Sequence, residues 1–229
     1  MWYIVSKERR ENCGFTLYLK NIFYFILDKM PLISIITPCC RQENLEKVKA
    51  SIDFSQVKKW YVIYDISRGR TYKTLFPDDP KIKELEYDGT NSVAGHGQRN
   101  YALDFITDGF VYSLDDDNTI PPLFWTKLPE FDENYIYSFD QEIPQKDWHQ
   151  NMMNTEIIDG KRIRKGNVLK LQHIDTAQYM IPRKLFKNTR WDASKYWADG
   201  IIIEQLATIH SGFLRYIPEI LCTYNSLVA

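Results

Sequence analysis

Glycine is scarce in this chain, 10 of 229 residues, and none lies in the loop after its first apolar run, Pro38-Cys39-Cys40-Arg41-Gln42-Glu43. A turn that cradles a triphosphate usually carries a Gly-rich, basic signature, so no such cradle is expected here. Cysteine is equally sparse: Cys13, Cys39, Cys40 and Cys222 form no Cys-x-x-Cys pair and no Cys/His ligand set. That argues against a zinc site and a disulfide framework, and favours a reducing compartment. No dense block of Lys and Arg occurs, and 29 basic residues face 30 acidic ones. Without a basic stripe, nucleic acid is not an expected partner.

Long hydrophobic runs are missing too. Residues 15–27 are apolar but hold Lys20 and are too few to span a membrane. No small-residue cleavage site follows them, so no signal peptide is expected. Residues 1–29 therefore read as an N-terminal helical extension packed on the domain. A weak membrane association through residues 15–27 is the second reading, and a natural start at Met30 the third. Residues 30–229 read as a single domain, and a cytoplasmic location, soluble or peripheral, is the expectation.

What is present is a soluble globular balance, 44% hydrophobic and 26% charged. Strands are predicted at residues 33–37, 60–64, 82–87 and 110–114. Helices are predicted at 44–52, with Asn44 as N-cap, and at 98–106. This alternation implies an α/β fold with a mostly parallel central sheet and helices on both faces. The second half changes character. Asp159-Gly160 suits a type I′ turn, so residues 157–163 read as a small antiparallel hairpin extension. Further strands are expected at 135–139, 177–181 and 213–217, and a helix at 199–210.

The chemistry concentrates in Asp115-Asp116-Asp117. An isolated acidic triplet is usually a solvated loop, but this one directly follows an apolar strand. In open α/β sheets, ligands bind at the carboxyl ends of strands. Carboxylates crowded there repel unless a cation offsets them, and hard oxygen ligands select Mg2+ or Mn2+. Such a cation bridges the phosphates of a nucleotide sugar and neutralises charge on the departing diphosphate. If strand geometry persists, Asp115 and Asp117 point to one side, one to hold metal, the other metal or ribose.

Three stretches carry a family resemblance: Gly109 to Thr119 (GFVYSLDDDNT), Ile35-Ile36-Thr37-Pro38 with Arg41, and Gly97 to Leu103 (GQRNYAL). Together they resemble the GT-A glycosyltransferases, closest to the glucuronyltransferases of family 43. The resemblance spans roughly residues 32 to 225 and implies a Rossmann-like GT-A fold and inverting, metal-dependent transfer. The donor would be a UDP-sugar and the acceptor a hydroxyl on a glycan or another molecule. It also implies site roles. Thr37, Pro38 and Arg41 would line the base and ribose pocket, and Asp65 would accept from the base imide of uracil. Arg99 would face the donor, unless it is a surface helix residue. Asp117 would be the main metal ligand, with Asp115 and Asp116 completing the ribose and metal contacts. In His173-Ile174-Asp175-Thr176-Ala177, Asp175 would face the sugars. In Trp197-Ala198-Asp199-Gly200, Asp199 would be the catalytic base, with a plain N-cap as the alternative.

This sequence departs from the family at two places. The glucuronyltransferases have glutamate where Asp199 stands, and near the carboxyl end they have a histidine that touches the diphosphate. Here Leu221-Cys222-Thr223-Tyr224-Asn225 has none. The glucuronic acid donor is therefore not carried over. Two alternatives remain: a nucleotidyltransferase making nucleotide sugars, disfavoured by the glycine-free first loop, and a non-catalytic nucleotide-sugar-binding module.

Overall fold

The computed structural model of the protein describes residues 32–67, 69–89, 92–147 and 152–227, all within the compact unit Pro31–Ala229. The extension expected at residues 1–29 lies outside them. Among the described residues, no helix is long and apolar enough to cross a membrane.

Four strands form a parallel block: β1 (Ile33–Cys39), β2 (Val57–Asp65), β3 (Ile82–Tyr87) and β4 (Phe110–Ser113). β1, β2 and β4 are apolar enough to be largely buried on both faces, whereas β3 (IKELEY), at the edge of the sheet, is only partly buried. Their side chains alternate in period two. Ile33, Ile35, Trp60 and Val62 face one core with helices α1 (Leu45–Ala50) and α3 (Pro122–Lys127). Ile36, Tyr61 and Ile63 face a second core with helices α2 (His96–Leu103) and α5 (Ala198–Ile209). A short helix of four residues, α4 (Arg183–Phe186), adds Phe186 to this second core.

The remaining strands are β5 (Ile136–Ile143), β6 (Thr155–Ile158), β7 (Lys161–Arg164), β8 (Tyr179–Pro182) and β9 (Leu214–Thr223). The sheet order is β3-β2-β1-β4-β8-β5-β7-β6, with β9 pairing β5. From β4 onward the ladder is antiparallel, except for the parallel β5/β9 pair. The chain thus runs outward from β1 through β2 to β3, then returns to place β4 on the other side of β1. The strand order reverses between β1 and β4, which opens a crevice at their carboxyl ends. Asp159 and Gly160 both have positive φ, 50° and 76°, as the type I′ hairpin between β6 and β7 requires.

Three local expectations are corrected. Asn44 makes no side-chain cap, because a 3-10 turn, Gln42–Asn44, already leads into α1. Residues 177–178 belong to a 3-10 turn, Thr176–Gln178, before β8 begins. The last strand is twice the expected length, since β5 pairs with it from Leu214 to Thr223 through two register shifts.

Gly95, the N-cap of α2, has φ 76°, and an added Cβ would sit 2.6 Å from Pro38 Cβ. Only glycine allows the helix start to approach Pro38, near the end of β1, so closely. Gly95→Ala is expected to cost about 1–3 kcal/mol, measured as a lower urea midpoint with unchanged slope.

Candidate active site

The acidic run does not continue β4 as a strand. Leu114 N–H still donates to Ile36 (2.9 Å), but Asn118 N–H donates to the Asp115 carbonyl (3.1 Å), closing a turn. The expected same-side alternation therefore fails as a mechanism. The turn nevertheless brings Asp115 and Asp117 to one cleft and sends Asp116 elsewhere.

Asp116 is buried, 1% exposed, and its carboxylate is fully engaged. It accepts from Cys40 N–H (2.6 Å), Arg41 N–H (2.7 Å) and Arg41 Nε (2.8 Å), while Arg41 Nη2 also reaches it at 2.6 Å. The same Nη2 lies 2.6 Å from Asp117 Oδ2. The ribose contact expected of Asp116 is thus replaced by a clamp on the loop after β1. That clamp also takes the two backbone N–H groups a phosphate cradle would present.

Arg99 is neither a surface residue nor a free donor-facing group. It is 2% exposed. Its Nε donates to Ser113 Oγ (2.7 Å), Nη1 to the Ala94 carbonyl (2.6 Å), and Nη2 forms an ion pair with Asp115. From beneath the cleft it holds Asp115 in place. Thr37 is also corrected: wholly buried, its Oγ1 accepts from Trp60 Nε1 (2.9 Å), so it cannot line a pocket. Pro38 is buried beside Gly95. Asp65 stands at the end of β2, where its Oδ1 accepts from Ser67 N–H at 3.0 Å, and it is not among the residues around the cleft.

The cleft, about 490 Å³, is bordered by Asp115, Asp117, Asp175 and Asp199, with Arg99, His96, Arg164, Tyr196, Trp197, Tyr224 and Asn225. Asp175 caps the 3-10 turn before β8 through Oδ1, which accepts from Ala177 N–H (3.0 Å) and Gln141 Nε2 (3.1 Å). Asp199 is in the first turn of α5. Trp197 occupies the N-cap, so the plain-cap alternative for Asp199 fails; its Oδ1 accepts from Gly200 N–H at 2.9 Å.

A helix N-terminus favours a charged carboxylate. Here burial wins. Desolvation first, then the negative charge of Asp175, push Asp199 up to about 6 against Arg99 and the Gly200 N–H. Burial and then Asp115 push Asp117 up to about 7, with Arg41 opposing. Asp115 is raised by burial against Arg99. His96 is driven down to about 4 by burial and then by Arg99, so it is neutral at pH 7.

Among the described residues, no three His, Cys, Asp or Glu side chains form a preformed metal site. Two raised carboxylates, Asp115 and Asp117, still fit a hard divalent ion. Mg2+ usually takes one or two carboxylates and completes its shell with water and substrate phosphates.

No family model and no curated protein matches the chain. Among solved structures, the crystal structure of TarS from S. aureus matches with a TM-score of 0.61 and 15% identity, covering 84% of this chain and 36% of that one. The chain thus spans about a third of TarS. The likeness is one of fold. The inositol-1-phosphate CTP transferase of T. maritima matches at a TM-score of 0.45 and 10% identity, over 85% of this chain and 89% of that one, too distant to weigh. The observed α/β fold, an open sheet whose parallel block is flanked by helices, is similar to GT-A folds.

Several residues around the cleft went unassigned from sequence. Tyr224 and Asn225 come from the segment noted only for lacking histidine. There, Asn225 N–H donates to Asn118 Oδ1 (2.8 Å) and Leu227 N–H to the Asp117 carbonyl (3.0 Å). Trp197 stood in a quoted motif; Arg164 had no local signal at all.

Asp116→Ala is expected to destabilise the fold by about 2–4 kcal/mol, since buried N–H groups and Arg41 lose their acceptor. Chemical denaturation checks this. An unchanged midpoint would remove the clamp from the structure's supports.

Proposed function

We propose that this chain is a metal-dependent, inverting glycosyltransferase, moving a sugar from a nucleoside-diphosphate donor, UDP-sugar foremost, to an acceptor hydroxyl. One observation carries the reading. Asp115 and Asp117 stand at the switch point between β1 and β4 and share a cleft with Asp199, whose carboxyl is poised near 6. The resemblance to family 43 supports the same reaction class.

In this reading Asp117 and Asp115 hold Mn2+ or Mg2+ with the donor's diphosphate. When bound, the ion supplies charge neutralisation for the leaving group. Arg99 keeps Asp115 oriented and limits its repulsion from its neighbours. Asp199 takes the proton of the acceptor hydroxyl at Oδ, and its raised pKa makes it a stronger base than a solvated aspartate. Asp175 borders the acceptor side, and its charge helps keep Asp199 basic. Arg41, already bridging Asp116 and Asp117, holds the base-and-ribose loop against the metal ligands. The resemblance would place Asp65, at the end of β2 and outside the residues around the cleft, at the nucleotide end.

The direct test is a nucleotide-sugar screen with Mn2+, reading released nucleoside diphosphate with and without glycan acceptors. Pyrophosphate release from nucleoside triphosphate and sugar phosphate would instead make it a nucleotidyltransferase. Nucleotide-sugar binding without turnover on any acceptor would make it a binding module.

Three further outcomes are expected. Asp117→Asn, or removal of metal with EDTA, reduces UDP binding by tenfold or more, about 1.4 kcal/mol, in calorimetry with Mn2+. Turnover rises with pH through about 6, because Asp199 must be ionised to accept a proton. Asp199→Asn binds donor normally and loses about two to four orders of magnitude in kcat. A pH-independent wild type, or an active asparagine variant, removes Asp199 from the base role.

A further inference from the structure

Two guanidinium groups border the cleft, and they differ in one respect. Arg99 is matched to Asp115. Arg164 forms no ion pair with any described residue. Its Nη2 donates to the Gln172 carbonyl at 3.2 Å, and its buried Nε has no partner among the described residues. The backbone at Arg164 is rigidly placed. It pairs with Gln141 on β5 and Thr155 on β6, and its carbonyl accepts from Gln178 Nε2 at 3.0 Å. The side chain is half-buried at the cleft wall.

A guanidinium in such a position normally finds an anion, because a buried donor without an acceptor costs about 1–3 kcal/mol. His96, the imidazole on the cleft beside Arg99, is neutral and cannot share the task. The planar fork of Arg164 matches two oxygens of a phosphate or carboxylate.

We infer that Arg164 is an anion-binding residue of the cleft, taking a phosphate or carboxylate group of a substrate. The inference rests on the glycosyl-transfer reading only for the source of that anion. One source is the diphosphate of the donor; the other is an acidic group on the acceptor.

The experiment compares wild type, Arg164→Gln and Arg164→Lys in calorimetry. The probes are UDP with Mn2+, pyrophosphate with Mg2+, glucuronate and glucose 1-phosphate, with thermal melts as a folding control. A loss of tenfold or more in UDP and pyrophosphate affinity in Arg164→Gln, smaller in Arg164→Lys, supports the inference and assigns the donor. A loss confined to glucuronate or glucose 1-phosphate supports it and assigns the acceptor. Equal affinities in all three proteins for every probe that wild type binds overturn it, whether or not the melting temperature moves. Should Arg164→Gln fail to fold, Arg164→Lys carries the comparison: unchanged binding there for both phosphate and carboxylate probes overturns the bidentate role. If wild type fails to bind UDP, the glycosyl-transfer reading fails separately, and Arg164 is judged by pyrophosphate and the two sugar anions. Wild type binding none of the four overturns both.

Discussion

The Asp116 carboxylate is the tie on which the cleft depends. It joins the carboxyl ends of two adjacent parallel strands, β1 and β4, by accepting two backbone N–H groups and a guanidinium at the point where the strand order reverses. A buried carboxylate is costly unless every oxygen is matched, and this one is. Matching it fixes the direction of its neighbours in sequence. With Asp116 turned into the β1 loop, the tight turn leaves Asp115 and Asp117 at the cleft. Three successive aspartates thus divide between two arginines. Arg41 serves Asp116 and Asp117, and Arg99 serves Asp115.

That division still leaves the cleft short of positive charge. Asp115, Asp117, Asp175 and Asp199 border it against Arg99 and Arg164, and three of these carboxyls are raised. Burial is the largest cause each time, with like-charge neighbours adding to it. For Asp199 this outweighs the helix N-terminus, which alone would have made it a weak base. A cation with a diphosphate would relieve Asp115 and Asp117, whereas Asp199, held by a single N–H at 2.9 Å, keeps its affinity for a proton.

The parallel block was legible because its signals are local. ISIIT, WYVIY and FVYSL are short apolar runs broken by turn residues, and Asp-Gly marked the hairpin unaided. The acidic run was legible for the same reason: it sits directly after a strand. What escaped depends on contacts distant in sequence. Nothing near Thr37 announces that Trp60 will occupy its hydroxyl. Nothing near Arg99 announces Ser113 and Asp115 as partners, so a surface position and a donor contact were equally reasonable expectations. The separate duty of Asp116 follows from a turn at Asp115–Asn118 that hydropathy cannot distinguish from a continuing strand.

The antiparallel half explains why the cleft has a second wall. β7 and β8 flank β5 on the same sheet, so Arg164 is held by ladder pairing, while Asp175 is fixed by the 3-10 turn it caps before β8 and by Gln141 on β5. β9 then runs parallel along β5 and delivers Asn225 and Leu227 onto the acidic turn, where the Asn118 side chain accepts from Asn225 N–H and the Asp117 carbonyl from Leu227 N–H. The turn is therefore gripped from both sides, by the β1 loop through Asp116 and by the carboxyl-terminal segment through its own backbone. Two grips on four residues make the separation of Asp115 and Asp117 a property of the whole sheet. A ligand that bridges them meets groups already placed, and loses little free energy to ordering them.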